Sequence, residues 1–186
     1  MSVAERQLTL EEFLKLPETK PASEFWEGRV TQKVSPKAKH STLQGEWVQH
    51  LNRHARRARP GMAFPELRCT FAGRSIVPDV VYVRWSRIPR DASGEVADEF
   101  MLAPDLVIEI LSPGQDASDL VEKLTFCIQN GVQLGWLVDP EKKRVMVFRP
   151  DRAPETLSEG VLDASPVVPG FTCRLDEMFG WLILPR

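Results

Sequence analysis

The chain has 186 residues, of which 42% are hydrophobic and 27% charged, and its formal net charge is −2. This length predicts one domain over residues 1–186, and the charge balance lacks an overall nucleic-acid-binding signature. No apolar run reaches the roughly 18 residues of a membrane span, and residues 1–9 lack a signal-peptide core, so we expect a cytoplasmic protein. The three cysteines form no CxxC pair, which argues against a disulfide framework or a zinc site.

The first third of the chain predicts a short helix, a hairpin and a long helix. Residues 9–12 form a capping box that opens a helix through Leu16. Residues 24–34 predict two strands joined by a tight turn at Glu27 and Gly28. After Pro36, apolar residues recur at steps of three and four and predict a long helix. Its apolar stripe consists of Leu43, Trp47, Leu51, Ala55 and Ala58.

The rest of the chain alternates strand and helix patterns. The predicted elements are strands over residues 62–71, 76–83 and 106–111, a helix over 117–129, strands over 134–138 and 144–148, and a last turn over 175–179. The second and third of these strands are near-continuous apolar runs, which is typical of strands buried on both faces of a sheet. The order predicts an α/β fold in which a mixed β-sheet is flanked by helices, with an added N-terminal β-hairpin.

Two acids stand out because they interrupt apolar strands. Asp79 lies in the run 76–83 and Glu109 in the run 106–111. A buried carboxylate is costly unless it is paired or bound to a cation, so a shared Mg²⁺ ion is a plausible partner for both. Such an ion would activate water for phosphodiester hydrolysis. The alternative is that each acid forms a salt bridge with a nearby arginine or caps an exposed strand edge.

A lysine could complete such a site by orienting the attacking water or by stabilising the charged transition state. Lys123 is the nearest cation after Glu109, and its helical position is beside the apolar stripe of the 117–129 helix. This position would direct its ammonium group toward the sheet edge. The alternative is an exposed ion pair between Asp119 and Lys123 at spacing i, i+4.

The ordered motifs resemble the PD-(D/E)XK nuclease superfamily and, within it, the restriction-endonuclease-like Uma family (Uma-two). The resemblance covers roughly residues 8–150. It rests on Glu24 with Gly28, Ser35-Pro36 to His40, Pro78-Asp79-Val80, Glu109-Ile110-Leu111-Ser112-Pro113, Asp119 with Lys123, Gly131-Val132 and Trp136-Leu137-Val138-Asp139-Pro140, followed by Val168-Pro169-Gly170-Phe171. It implies a restriction-endonuclease-like core, a divalent metal (Mg²⁺ or Mn²⁺) and DNA as the substrate.

The resemblance also implies roles for individual residues. Asp79 and Glu109 would be metal ligands, and the backbone carbonyl of Ile110 would add a third oxygen. The superfamily's lysine usually lies two residues after the second acid, where this chain has Leu111, so Lys123 of the following helix is the catalytic lysine that the resemblance implies. The remaining candidates are accessory residues with open roles, namely Glu24, His40, Glu46 and Glu66.

Three further features have a functional and a structural interpretation. The arginines in residues 53–59 could bind phosphates or complement the end of a helix. His50 and His54 lie four residues apart and could chelate a metal, although such a pair is more often a solvated face. Trp136, Phe179 and Trp181 could pack at a subunit interface or in the core.

Two hypotheses about function follow. The first is an Mg²⁺-dependent endonuclease, for which a homo-oligomer is expected because cutting both strands usually needs two copies of the site. The second is a nuclease-fold module that has lost catalysis and serves in nucleic-acid binding or protein assembly. A hydrolase with a serine or cysteine nucleophile finds no support, because the chain has no GxSxG motif.

Overall fold

The computed structural model of the protein describes residues 8–58 and 60–184, and of residues 56–58 the backbone alone. The helices of the described residues are α1 (Leu10–Leu14), α2 (Ala38–Ala58), α3 (Ala117–Gln129) and α4 (Leu175–Gly180), with a 3₁₀ turn at Trp85–Arg87. The strands are β1 (Ser23–Trp26), β2 (Arg29–Gln32), β3 (Gly61–Pro65), β4 (Cys69–Phe71), β5 (Arg74–Ile76), β6 (Val80–Arg84), β7 (Leu106–Ile110), β8 (Leu134–Asp139), β9 (Arg144–Phe148), β10 (Glu155–Leu157), β11 (Val161–Asp163) and β12 (Thr172–Arg174).

The main sheet has six strands in the order β10-β9-β8-β7-β6-β3. β7 and β8 are parallel and the other neighbours are antiparallel, so the sheet is mixed, as the sequence predicts. The parallel pair is joined by α3, which is the usual crossover between parallel strands. The carboxyl ends of β7 and β8 therefore lie at the same edge of the sheet.

A second sheet carries the N-terminal hairpin, in the order β2-β1-β5-β4. Glu27 and Gly28 adopt φ values of 49° and 79°, the positive values that a two-residue type I′ hairpin turn requires. The predicted hairpin is thus present, and β1 also pairs with β5 at Phe25 and Ser75. The first helix has the predicted capping box between Thr9 and Glu12 but ends at Leu14, before the predicted Leu16.

Two predicted strands are each divided between the two sheets, which corrects the sequence interpretation. Residues 62–71 form β3 and β4, because the chain turns at Glu66, whose φ is 46°. Residues 76–83 form the end of β5 and most of β6, with Pro78 at the break. Asp79 therefore does not interrupt a strand but immediately precedes β6.

Hydrophobic side chains fill both faces of the main sheet. Leu43, Trp47, Leu51 and Ala55 of the predicted stripe are buried against one face, and the side chain of Ala58 lies outside the described residues. α3 covers the other face. Trp136 and Phe179 belong to the core, and the half-buried Trp181 packs on Trp47, so the subunit-interface interpretation of these residues is not needed.

Among the described helices, none is long and apolar enough to cross a membrane. The single domain over residues 1–186 stays a prediction.

Candidate active site

Asp79 and Glu109 face each other across the junction of β6 and β7. The antiparallel register pairs Val80 with Ile108, and one further step of that register sets Asp79 opposite Glu109. The backbone N–H of Ile110 donates to Asp79 Oδ2 at 2.7 Å, which fixes the aspartate beside the end of β7. Both carboxylates are buried, with 2% and 1% of their surfaces exposed, so each needs compensation for its charge.

Asp79 is compensated by a lysine and a histidine. Lys33 Nζ lies 2.6 Å from Asp79 Oδ1, and His40 Nε2 lies 3.0 Å from Asp79 Oδ2. Burial alone would raise the pKa of Asp79, but the hydrogen bond from His40 and the charge of Lys33 outweigh it and hold that pKa below its ordinary range. The backbone carbonyl of Asp79 accepts from the Gln44 side chain at 2.9 Å and from the Glu66 N–H at 3.1 Å. The aspartate is therefore fixed at both ends and charged.

Glu109 is compensated by Lys123, which it shares with Glu24. Lys123 Nζ lies 2.7 Å from Glu109 Oε1 and 2.6 Å from Glu24 Oε1. Burial raises the pKa of Glu109 to about 7, even though the Lys123 ammonium favours the charged carboxylate. Burial acts to lower the pKa of Lys123, but the charges of Glu109 and Glu24 raise it above its ordinary value. Lys123 thus carries its proton at neutral pH.

The position of Lys123 decides between its two sequence interpretations. Its side chain is only 6% exposed and is directed at Glu109 and Glu24, so the exposed pair with Asp119 is wrong. Likewise, Asp79 and Glu109 pair with lysines and a histidine rather than with arginines. Glu24 is held in turn by the Val77 N–H at 2.6 Å. The structure therefore brings together four predicted residues, Glu24, Asp79, Glu109 and Lys123, with His40 beside them.

Lys33 was missed by the sequence interpretation, although the hairpin contained a signal for it. The register pairs Glu24 with Thr31, and the Lys33 N–H donates to the Ala22 carbonyl at 2.9 Å. Because side chains alternate along a strand, Thr31 and Lys33 lie on the same face as Glu24. A hairpin that places one acid at the site therefore also brings a lysine to it.

Other predicted residues lie elsewhere or contribute backbone alone. Glu46 pairs with His50 at 3.4 Å on α2, and Glu66 is exposed, with its N–H but not its carboxylate in contact with Asp79. His54 Nε2 lies 2.9 Å from the Pro169 carbonyl, so each of the two histidines has its own protein partner. In the arginine cluster, Arg53 bonds Gln49, and residues 56–59 lie outside the described side chains.

The donor set at Asp79 and Glu109 fits Mg²⁺ or Mn²⁺. Both side chains offer hard carboxylate oxygens, and Mg²⁺ is usually held by only one or two carboxylates while it keeps several waters. Within residues 8–58 and 60–184, no group of three or more His, Cys, Asp or Glu side chains is arranged so that it could hold a metal ion by itself. The two-carboxylate arrangement therefore suits a hard cation with open positions and argues against a structural zinc site.

The cysteines do not provide a nucleophile. All three are buried and free, and burial raises the pKa of Cys69 to about 12. Cys127, one turn of α3 beyond Lys123, has a pKa raised further by the same cause. Because the thiolate is the reactive form, neither thiol is activated at neutral pH.

Comparisons with known proteins agree with this architecture. A crystal structure described as that of "a putative nuclease belonging to DUF820" from Anabaena variabilis is 42% identical to this chain, with a TM-score of 0.91 over 95% of this chain and 99% of the other. No curated protein matches the chain. The family model described as Uma2, "Putative restriction endonuclease", matches residues 10–176. The predicted resemblance and fold class are thereby confirmed, and both matches support a nuclease. The chain belongs to the Uma2 family.

Proposed function

We propose that this protein is a metal-dependent endonuclease that hydrolyses phosphodiester bonds in DNA. The observation that carries the proposal is the buried ammonium group of Lys123, which lies 2.7 Å from Glu109 and 2.6 Å from Glu24. A charged lysine among carboxylates inside a protein is expensive to maintain. Such groups concentrate at functional sites, and this one lies beside two opposed acids.

Asp79 and Glu109 would hold Mg²⁺ or Mn²⁺, with the backbone carbonyl of Ile110 as a third oxygen. When bound, such a cation lowers the pKa of an attacking water and neutralises charge on the phosphate. The protein's own contribution is to fix the two carboxylates. Asp79 is held through the Ile110 N–H and His40, so its oxygens need little reorganisation during the reaction.

Lys123 would act as the catalytic lysine. Its fixed positive charge can orient the water and stabilise the negative charge that develops on the phosphate oxygens. Glu24 is a positioning residue, because it accepts from the Val77 N–H and holds Lys123 Nζ with the same oxygen. His40 has the corresponding positioning role for Asp79.

The test is plasmid nicking in the presence of Mg²⁺ or Mn²⁺. We expect wild type to convert supercoiled plasmid to the open circle, and Asp79→Asn, Glu109→Gln and Lys123→Met each to lose about 10²-fold or more of that rate. Asp119→Asn is the matched control on α3, because Asp119 is exposed and outside the site. It should retain the wild-type rate.

Circular dichroism must give every variant the wild-type spectrum for the comparison to hold. Nicking that survives all three site substitutions would contradict the assignment of the site. Wild type that nicks no plasmid with either metal would favour the other hypothesis, a nuclease-fold module without catalysis.

Two copies of the site would be needed to cut both strands of a duplex, so we propose a homo-oligomer. Sedimentation velocity measures this directly. A monomer at micromolar concentration that nevertheless linearises plasmid in one binding event would contradict it.

A further inference from the structure

A cleft of about 290 Å³ opens next to the candidate active site. It lies between the start of α2 and the segments that follow β7 and β8, whose carboxyl ends share one edge of the main sheet. Its apolar wall is formed by Ala38, Leu111, Pro113 and Pro140. We call this feature the α2 cleft. Its volume is just below the usual range for ligand sites, which is about 300–1,000 Å³. The cleft therefore suits a ligand with one planar ring system, single or fused, rather than two stacked ones.

The α2 cleft adjoins the candidate active site through His40. His40 lines it and lies 3.0 Å from Asp79, and Leu111 follows Glu109 by two residues on the same segment. A ligand in the cleft would therefore be joined to a phosphodiester at Asp79 and Glu109 by a short span of atoms. A nucleobase is joined to its own phosphate through a single sugar, so it is a ligand of this kind.

His40 has an unused polar atom at this place. The residue is 6% exposed, and its Nδ1 is buried without a hydrogen-bond partner in the part of the chain that the structure describes. With Nε2 directed at Asp79, Nδ1 accepts a hydrogen bond in the neutral ring and donates one in the protonated ring. A buried polar atom left without a partner is costly, so a ligand with an edge of donors and acceptors would satisfy it.

The charges around the α2 cleft define which side a phosphate backbone could take. Lys37 and Lys39 are exposed along one side, and the first turn of α2 contains no acidic residue. Asp139 and Glu141 lie on the opposite side. Phosphates would therefore follow the lysine side, where charge and the helix N-terminus both favour them.

We propose that the α2 cleft receives one unpaired nucleobase of the substrate strand, next to the phosphodiester that is cleaved. This inference rests on the proposed function and narrows its substrate class. A base that is stacked and paired in a duplex cannot enter a cleft of this size, so the strand is single at this point or its base turns out of the helix. The apolar wall packs against the faces of the base, and the two lysines bind the flanking phosphates.

The test measures binding without cleavage, by fluorescence anisotropy in buffer with EDTA. The probes are a fluorescein-labelled 15-nucleotide strand of mixed sequence and the same strand in a fully paired duplex. We expect wild type to bind the single strand about tenfold more tightly than the duplex. Ala38→Leu and Ala38→Trp fill the cleft to increasing extents and should weaken single-strand binding progressively, by about tenfold or more for the larger side chain. Ala153→Leu and Ala153→Trp are matched controls at an exposed alanine outside the cleft and should bind like wild type.

Each outcome supports or overturns the proposal, independently of catalysis. The cleft proposal would be overturned if wild type bound the single strand and the duplex with equal affinity. It would also be overturned if Ala38→Trp bound the single strand as tightly as wild type or more tightly. Plasmid nicking by wild type would in either case still support the proposed function. A graded loss of single-strand affinity in Ala38→Leu and Ala38→Trp, in a protein that does not nick plasmid, would support the cleft proposal and contradict the proposed nuclease activity. If the protein bound thymidine 5′-monophosphate saturably but did not bind the single strand, the cleft would be a site for a free nucleotide. That result would also overturn the proposal.

Discussion

The divalent cation proposed at Asp79 would compete with Lys33 for that carboxylate, so Lys33→Met should tighten metal binding. Lys33 Nζ lies 2.6 Å from Asp79 Oδ1, and His40 with the Ile110 N–H takes Oδ2. A divalent cation that uses Asp79 must displace the Lys33 contact or bind beside its positive charge. Methionine keeps much of the length of the side chain but removes the charge, so it removes both obstacles.

The magnitude follows from the contact that is lost. A hydrogen bond to a charged group contributes about 1.5–3 kcal/mol. At about 1.4 kcal/mol for each tenfold change, its removal should tighten the Kd for Mn²⁺ by about 10- to 100-fold. Two unit charges 4 Å apart interact by about 4 kcal/mol at an effective dielectric constant of 20. The Lys33 side chain is 13% exposed, so solvent screens part of its charge. We therefore expect the change in Kd to lie toward the lower end of the 10- to 100-fold range.

Isothermal titration calorimetry with MnCl₂ at pH 7.5 measures this Kd. Lys142→Met, which removes an exposed lysine, controls for the change in net charge and should leave the Kd within about twofold of wild type. Asp79→Asn should abolish saturable binding. An unchanged or weaker Kd in Lys33→Met would refute the view that Lys33 competes with the cation, whatever the variant does to nicking.

Further predictions concern stability and thiol chemistry. Gly61→Ala would place a methyl group in hard contact with the Val83 backbone oxygen, so thermal unfolding should show a loss of about 1–3 kcal/mol; a wild-type midpoint would contradict this packing. Gly45→Ala is the matched change on α2, where a methyl group meets no atom within 4 Å, and it should gain about 0.5–1 kcal/mol. Cys69 and Cys127 are buried with raised pKa values, so a disulfide reagent at pH 7.5 should modify them only slowly in native protein and at once in guanidinium, and fast native labelling would disprove their burial.

Much of the site could be predicted because its residues belong to strongly patterned elements. The apolar run around Glu109 identifies the buried strand β7, and the apolar residues after Asp79 identify β6. The helical phase of Lys123 directs its side chain at the same sheet. The helical position of Lys123 predicts where its side chain lies, because α3 packs on the main sheet with its apolar stripe and Lys123 lies beside that stripe. The capping box and the turn at Gly28 depend on neighbouring residues alone, so the sequence predicts both of them.

The parts that could not be predicted depend on long-range geometry. Residues 62–71 were predicted as one strand, although Pro65, Glu66 and Arg68 interrupt its apolar residues. The local sequence does not specify that the chain turns at Glu66, with a φ of 46°, and enters a second sheet. The partner of Asp79 was missed for a related reason. Lys33 is 46 residues away and reaches the site only because the second sheet brings the hairpin against it. Alternation within the hairpin gives the face on which Lys33 lies, but the docking of that face is a tertiary outcome.

The N-terminal hairpin has a defined role in this arrangement, because it supplies one group to each half of the site. β1 contributes Glu24, which contacts Lys123, and the residue that follows β2 is Lys33, which contacts Asp79. Without Glu24, the Lys123 ammonium would face Glu109 alone, a carboxyl whose pKa burial raises to about 7. Glu24 thus gives Lys123 a second carboxylate contact, and its charge contributes to the raised pKa of that lysine. Lys33 is the more exposed of the two lysines, with 13% of its side chain accessible against 6% for Lys123. We therefore expect the proposed cation to displace the Lys33 contact more readily than the Lys123 contacts.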